Sequence, residues 1–154
     1  MSTQTKKRSP WRKRILFSLL VLAVITAGIY WYVATDTYSD TKDRKPAYIV
    51  SAFDFINEFR QNEKIAKEKY NNKILLVNGR VSAIEPADTT MNVKFVDTGT
   101  GDYIIFTFQQ QHVDEAKTIK VGDSVSIKAA YRDFIYSEIL DAYSIMFQRS
   151  TLNK

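Results

Sequence analysis

Cysteine is absent from this chain of 154 residues. The absence excludes disulfides, thiolate metal sites, a lipidated N-terminal cysteine and a cysteine nucleophile. An exported domain of this chain therefore has to be stabilised by its hydrophobic core alone. Histidine is nearly as scarce, since His112 is the only one. Without cysteine or a nearby acid pair at a known spacing, His112 cannot build a zinc site, and we expect it on the surface of a helix.

Sets of catalytic residues are also missing. The stretch Val96–Thr100 matches the short aspartic-protease signature, but that chemistry needs two aspartates that share a proton. Asp97 falls where the strand pattern requires a hairpin turn, and Asp-Thr-Gly is ordinary turn chemistry. A cation between Asp97 and Asp102 is the other interpretation, but the loop lacks the ligand density of a calcium site. We predict no enzyme activity, no catalytic or metal-binding residues and no cofactor.

Positive charge is distributed very unevenly. The formal net charge is +5, and residues 1–14 contain no acid but six basic residues: Lys6, Lys7, Arg8, Arg12, Lys13 and Arg14. Without these 6, the other 16 of the 22 basic residues face 17 acidic residues, so the remainder carries about −1. The basicity belongs to the tail, which removes the main compositional argument for a nucleic-acid-binding domain.

Residues 15–34 form an uninterrupted uncharged run that is apolar on all faces. At ~1.5 Å per residue, such a helix spans about 30 Å, the thickness of the hydrocarbon core of a bilayer. A cleaved signal peptide is the alternative. The apolar region of a signal peptide is shorter and is followed by small residues at the cleavage site, whereas this chain has Tyr32 where a small residue would be required. The sequence predicts an uncleaved anchor, represented by Ile15, Leu20, Val24, Tyr30 and Trp31.

The orientation of this helix follows from the residues at its two ends. Trp11 precedes the run and Tyr30–Tyr32 close it, as in interfacial aromatic belts. All six basic residues of the tail lie before the run, and three acidic residues follow it: Asp36, Asp40 and Asp43. The positive-inside rule therefore places the N-terminus in the cytoplasm and the rest outside. We expect a single-pass protein of a bacterial inner membrane, with a periplasmic or otherwise extracytoplasmic C-terminal domain.

The chain divides into a cytoplasmic tail (1–14), a transmembrane helix (15–34), a linker (35–47) and a folded domain (48–149). The linker is polar and ends at Pro46. Ser51 and Asp54 have the spacing of a capping box and begin a predicted helix that ends near Asn71. Its apolar stripe predicts that it packs on a sheet. The stripe consists of Phe55, Ile56, Phe59, Ala66 and Tyr70.

Beyond this helix the apolar period changes to two, which is typical of strands. The predicted strands are Lys73–Glu85, Met91–Val96, Tyr103–Phe108, Ser124–Tyr131 and Glu138–Phe147. A weak helical pattern lies between the third and fourth strands, and Gly79 inside the first predicts a bend or bulge. This layout predicts a mainly β domain, a five-stranded OB-fold barrel of order β-β-β-α-β-β, preceded by one helix.

The predicted helix and first strand carry a set of residues at characteristic spacing: Phe55, Phe59, Asn62, Glu63, Ala66, Lys69, Tyr70, Lys73, Val77, Gly79, Val81 and Ile84. The Val121–Asp123 turn with Val125 adds an entry to the fourth strand. Together these residues resemble the tRNA_anti-like family of small exported bacterial OB-fold proteins. The resemblance implies the fold and export over residues 48–147; it implies no particular ligand.

Two surfaces of this predicted barrel are candidates for binding. On the outward positions of the second and third strands, Lys94 is the one cation and Tyr103 the one aromatic residue. A nucleic-acid site on an OB-fold needs a basic groove with stacking aromatic side chains, so this surface argues against nucleic-acid binding. The predicted loop 132–137 joins the last two strands, where OB-folds bind ligands. Its residues Arg132, Phe134, Ile135 and Tyr136 either pack into the core or form a partner contact.

The sequence thus favours a non-catalytic, membrane-anchored binding or accessory domain. Its partners would be the lipid bilayer and a protein partner or envelope ligand. A scaffold subunit of a membrane complex, whose anchor helix itself makes contacts, is the first alternative. A nucleic-acid-binding OB-fold is the second.

Overall fold

The computed structural model describes residues 10–37 and 40–153. The chain divides into two compact units, residues 1–39 and residues 40–154. Lys6, Lys7 and Arg8 of the basic tail lie outside the described residues.

The described part of the first unit is a single helix, α1 (Pro10–Thr37). Its segment Lys13–Tyr32 has a mean hydropathy of 2.1, and none of this segment is buried within the unit. Among the described residues, this is the one helix long and apolar enough to cross a membrane. The hydroxyl groups of its Ser18 and Thr26 are bonded to the helix backbone, since Ser18 Oγ donates to Ile15 O at 3.0 Å and Thr26 Oγ1 to Leu22 O at 2.9 Å. The stretch 15–29 therefore presents an apolar surface on every side.

The second unit begins with a 3₁₀ turn (Thr41–Asp43) and the short strand β1 (Tyr48–Ser51). β1 pairs in parallel with β2 (Ile74–Arg80). The sequence did not predict β1, because four residues are too few to show a period. The turn lies within residues 35–47, the predicted linker, and its Thr41 side chain is buried.

Two helices follow where one was predicted: α2 (Ala52–Gln61) and α3 (Glu63–Tyr70). Ser51 caps α2 as expected, accepting a hydrogen bond from Asp54 N at 3.1 Å. The prediction of a single helix is wrong at Asn62, whose backbone is extended (φ −157°, ψ 90°). The Asn62 side chain accepts from Ile65 N at 3.1 Å and so caps α3.

The strands β3 (Ala83–Pro86), β4 (Met91–Val96) and β5 (Tyr103–Phe108) come next. The bounds of β4 and β5 agree with the predicted second and third strands. A 3₁₀ turn (Gln110–His112) and α4 (Val113–Lys117) then form the predicted helical connection. The sheet is completed by β6 (Ser124–Ser137) and β7 (Ala142–Leu152), and its strand order is β1-β2-β6-β7-β5-β4-β3.

The barrel closes because β2 and β3 are two halves of the predicted strand Lys73–Glu85. β2 pairs with β6 and β3 pairs with β4, so one bent segment supplies strands toward both ends of the strand order, with β1 added outside β2. The bend lies at Val81 and Ser82, whose N–H groups donate to Asp123 O at 2.9 Å and Lys94 O at 2.8 Å. The expected OB-fold is therefore present, with seven strands instead of five, since the first predicted strand is split and β1 is added.

The prediction of a loop at 132–137 is wrong, because β6 continues through Ser137. Accordingly, β7 begins at Ala142 instead of residue 138 and runs past residue 147 to Leu152. Aromatic cross-strand contacts stabilise the additional part of this hairpin, where the ring centroids of Tyr136 and Tyr143 are 4.9 Å apart. The turn itself lies at residues 138–141, and Asp141 takes the left-handed conformation (φ 47°).

The core is a cluster of aromatic and branched side chains between the barrel and the two helices α2 and α3. The ring of Phe59 on α2 stacks on Phe134 of β6, with centroids 4.6 Å apart. Phe147 of β7 lies 5.1 Å from Phe106 of β5 inside the same cluster. The predicted helical stripe is buried: Phe55, Ile56, Phe59, Ala66 and Tyr70. A large, continuous aromatic core provides the stability that cysteine-free domains need.

Candidate functional site

His112 lies at the centre of a polar cluster and not on the surface, so that expectation is wrong. Its side chain is buried, and its Nε2 lies 2.8 Å and 3.0 Å from the two carboxylate oxygens of Asp40. Asp40 is 72 positions away in sequence, so local spacing gave no signal of this contact. The bond fixes the start of the second unit to the helical connection between β5 and β6.

Glu115 on α4 extends the cluster to the end of the chain. One of its oxygens accepts from Lys42 Nζ at 3.1 Å; the other accepts from Thr151 Oγ1 at 2.8 Å and Leu152 N at 3.1 Å. Partial burial raises the pKa of Glu115, but the hydrogen bonds from Thr151, Lys42 and Leu152 outweigh it and hold this pKa at about 2. The cluster therefore joins the entering chain to the barrel.

The loop that follows β4 uses its aspartates for structure. Asp97 Oδ1 accepts from Gly99 N at 2.8 Å, as the turn interpretation expects. The carboxylate of Asp102 is 1% exposed and accepts from Arg60 Nη1 at 2.6 Å, Thr100 Oγ1 at 2.9 Å and Tyr143 N at 2.8 Å. Both carboxylates have internal donors, and the part of the chain that the structure describes contains no cluster of metal-binding side chains.

The outward face of β4 and β5 is the surface that OB-folds commonly use for nucleic acid. Its cation, Lys94, forms an ion pair with Glu85 of β3 at 2.6 Å. The Lys94 ammonium also lies 5.5 Å from the ring centre of Tyr103. An internally paired lysine is a poor start for a basic groove that tracks phosphates.

The four residues predicted as a partner contact are divided between the core and the surface. Phe134 is 4% exposed and lies between Phe59 and Tyr143, so it belongs to the core. Arg132, Ile135 and Tyr136 are exposed on β6. The structure therefore assembles three of the four residues on the hairpin surface; whether a partner contacts them stays a prediction.

More apolar side chains lie at the turn of this hairpin. Ile139 is 96% exposed and Leu140 is 62% exposed. The sequence pattern placed both within the predicted strand Glu138–Phe147, whereas they lie in the turn. We call Ile135, Tyr136, Ile139 and Leu140 the apolar tip. The tip is held in shape locally, because Tyr136 Oη bonds the Asp141 carboxylate and Leu140 N donates to Ser137 Oγ at 3.4 Å.

A groove of about 540 Å³ opens between the N-terminal end of α2, the end of β2 and the end of β4. Its apolar lining consists of Ala52, Phe53, Ile56, Gly79, Phe95 and Val96. Its polar lining consists of Ser51, Asn78, Arg80, Ser82, Asp97 and Thr98. An apolar floor with a few polar groups at the margin is the usual composition of a binding site.

Gly79 shapes the floor of the groove. A Cβ atom at this position would lie 2.5 Å from the ring of Phe95 and 3.0 Å from Ala52, so only glycine fits. The glycine is therefore required by the close approach of β2 to Phe95 of β4, and the predicted bend lies two residues later, at Val81. Gly79 was the one residue of the groove that the sequence pattern had singled out, because the walls of the groove come from three separate segments.

Two side chains of the groove are available to a ligand. Phe53 is 62% exposed although it stands on the same helix as the buried Phe55 and Phe59. Arg80 donates from Nε to Gly122 O at 2.9 Å, and within the described residues it forms no ion pair. The groove therefore offers a ligand the aromatic ring of Phe53 and the guanidinium of Arg80, which no carboxylate of the described residues contacts.

The five predicted anchor residues all lie on α1. Within this unit their side chains are exposed: Ile15, Leu20, Val24, Tyr30 and Trp31. Side chains of this kind require an apolar environment that the helix itself does not supply.

A model of the tRNA_anti-like family matches residues 4–140 of the chain. Among solved structures, the chain is similar to a proposed nucleic acid-binding lipoprotein of Klebsiella pneumoniae, at 18% identity and a TM-score of 0.55. That match covers 69% of this chain and 91% of the other, and it shows the shared fold.

A proposed aspartyl-tRNA synthetase of Leishmania major matches at 12% identity and a TM-score of 0.45, over 74% of this chain and 22% of the other. A likeness this distant carries no argument about this chain. The comparison with curated proteins gave no match. The family match spans most of the chain and agrees with the observed barrel, so the chain belongs to the tRNA_anti-like family.

Proposed function

We propose that this protein is a single-pass, membrane-anchored binding module whose OB-fold domain lies on the extracytoplasmic side of a bacterial inner membrane. The module performs no catalysis and takes a protein partner or an envelope ligand in its groove. The groove carries the proposal, because it combines an apolar floor, the exposed Phe53 and Arg80, which forms no ion pair with the described residues.

The anchor and its orientation are supported by the composition of α1 and its flanks. The helix is long and apolar enough to span a bilayer. Six basic residues precede the apolar segment and acidic residues follow it, so the positive-inside rule puts the N-terminus in the cytoplasm. This orientation leaves residues 40–154 in the periplasm or its equivalent.

A protein or envelope ligand is favoured over nucleic acid by the charges on the barrel. The lipoprotein of similar fold is described as binding nucleic acid, but an 18% identity carries only the fold across. In this chain Lys94, the cation of the outward β4–β5 face, is neutralised by Glu85. The excess of positive charge lies in residues 1–14, ahead of the apolar segment.

The absence of catalysis is supported by the roles of the acidic residues and of histidine. Asp102, Glu115 and His112 are all engaged in contacts that hold elements together. A general acid or base needs access to a substrate, and these side chains are occupied by internal partners.

The experiment is photocrosslinking in living cells, with benzoylphenylalanine placed at Phe53 in the groove. Ile65 on α3 is the control, because it is 61% exposed but does not line the groove. We expect a discrete adduct from position 53 that is absent from position 65. Adducts with nucleic acid, or equal adduct patterns at both positions, would contradict the proposal.

A further inference from the structure

We propose that the apolar tip of one copy docks into the groove of a second copy, so that the proteins associate head to tail. The inference rests on the groove being a binding site, as proposed above. It adds the identity of an occupant: the residues Ile139 and Leu140 of another molecule.

The tip and the groove lie toward opposite ends of one strand. The start of β6 pairs with the part of β2 that lines the groove, at Arg80↔Ser124 and Asn78↔Ser126. The tip begins at Ile135, near the other end of β6. Nine residues of extended chain, at ~3.3 Å each, span up to about 30 Å from Ser126 to Ile135. The four tip residues are not among those that line the groove of the same molecule, so the occupant is sought in a second copy.

The two surfaces are also complementary in polarity, since both are apolar. The turn of the hairpin presents two neighbouring aliphatic side chains, Ile139 and Leu140, that contribute nothing to the core. The groove is open, about 540 Å³ in volume, and has an apolar floor. Docking would remove both apolar surfaces from water, which is the main driving force of protein association.

Charge gives the contact a direction. Glu138 is exposed beside Ile139 and has no ion-pair partner in the described part of the chain. Arg80, at the margin of the groove, also has no ion pair there. When Ile139 and Leu140 enter the groove, Glu138 is brought to the same margin as Arg80. Opposite charges at the rim of an apolar contact fix its register more than they add affinity.

A contact of this kind uses different surfaces on the two copies. Each copy has one tip and one groove, so after one contact forms, the groove of one copy and the tip of the other remain available, and association continues into chains or rings. The anchors confine all copies to one membrane, which raises their effective concentration. A modest contact area is therefore enough for association.

The absence of cysteine makes the test direct. Two tagged copies of the full chain are expressed together, one with Phe53→Cys and one with Leu140→Cys, and membranes are oxidised. Both positions are exposed, so neither change removes a core contact. We expect a disulfide-linked dimer that carries both tags. The control pair replaces Phe53→Cys by Ile65→Cys and is expected to give at least tenfold less product.

Charge reversal provides the second measurement. Arg80→Glu or Glu138→Arg alone is expected to lower the crosslink yield about fivefold, and the two together are expected to restore it. A preference for Leu140→Cys pairing with itself, or a yield no higher than the Ile65→Cys control, would overturn the inference. If benzoylphenylalanine at Phe53 captures a different protein in those cells, the proposed function stands and only the self-association is wrong.

Discussion

The apolar side chains of α1 and those of the OB-fold domain lie in opposite surroundings. In α1 they are exposed around the whole helix, from Trp11 to Tyr32. In the domain, most large apolar side chains of the strands and of α2 and α3 are buried in one cluster. The domain thus provides its own apolar environment, whereas α1 provides none for its side chains, as expected of the membrane anchor proposed above.

The same comparison applies on a smaller scale within the domain. The apolar tip and the groove are two places where the domain leaves neighbouring apolar side chains in water. Substitutions should therefore have three distinct effects. Changes in α1 alter location, changes in the core alter stability, and changes at the tip or groove alter association.

The largest effect is expected from placing charge at the centre of α1. The double change Leu20→Arg and Val24→Arg costs about 5–7 kcal/mol of insertion free energy, since each arginine there costs about 2.5–3.5 kcal/mol. The protein should move from the membrane pellet to the soluble fraction after alkaline extraction. The control, Leu20→Ala with Val24→Ala, should stay in the pellet, and a charged variant that stays there would contradict the role of α1.

Core truncation should cost less, and α2 offers a matched pair. Phe59 is 1% exposed and Phe53 is 62% exposed on the same helix. Phe59→Ala should lower the free energy of unfolding by about 3–5 kcal/mol, because it leaves a cavity among stacked rings. Phe53→Ala should change it by less than about 1 kcal/mol. Urea unfolding of the detergent-solubilised chain measures both, and equal losses would show that Phe53 is part of the core.

The two aspartates of the β4–β5 loop provide a similar contrast. Asp102→Ala should destabilise the domain by about 3 kcal/mol, because Arg60 and Tyr143 N lose their acceptor. Asp97→Ala removes one exposed turn contact and should cost about 1 kcal/mol. The difference between the two midpoints in urea is the measurement. If Asp102→Ala lowered the free energy of unfolding less than Asp97→Ala, the ion pair of Asp102 with Arg60 would not stabilise the β4–β5 hairpin.

The smallest effect concerns pH and the Glu115 cluster. The pKa of Glu115 is held at about 2 in the folded domain, below its ordinary value of 4.5. Its contribution is therefore present above about pH 4.5 and lost as the pH falls toward 2. Glu115→Gln should lower stability at pH 7 by about 1–2 kcal/mol and reduce the acid sensitivity. An unchanged slope of stability between pH 5 and pH 3 would contradict this account, and urea midpoints across that range test it.

Local patterns were enough to predict much of the barrel. The stripe on α2 and α3 identified the face that is buried. Apolar residues at every second position made β4 and β5 visible, namely Met91, Val93 and Phe95 in the first and Ile104, Phe106 and Phe108 in the second. The prediction failed at residues 132–137, because β6 has irregular register between Lys128 and Asp133 and its burial does not alternate beyond that point. It also failed at Asn62, where a single side-chain cap interrupts an otherwise continuous helical period.

The candidate site could be predicted only in fragments. The tip was anticipated through Ile135 and Tyr136, but its most exposed residue, Ile139, depended on where the hairpin turns. The groove combines α2, β2 and β4, so only the three-dimensional register brings Phe53 and Arg80 together. The His112 cluster likewise joins residues from both ends of the domain. Contacts between distant segments leave no period in a sequence.

The central claim is that α1 spans the membrane and places the domain outside the cytoplasm. Labelling of introduced cysteines with a membrane-impermeant maleimide tests it most directly, because the natural chain contains none to interfere. In intact cells with a permeable outer barrier, Glu138→Cys should be labelled, whereas Ser2→Cys should be labelled only after the inner membrane is opened. Labelling of Ser2→Cys but not of Glu138→Cys in intact cells would contradict the account.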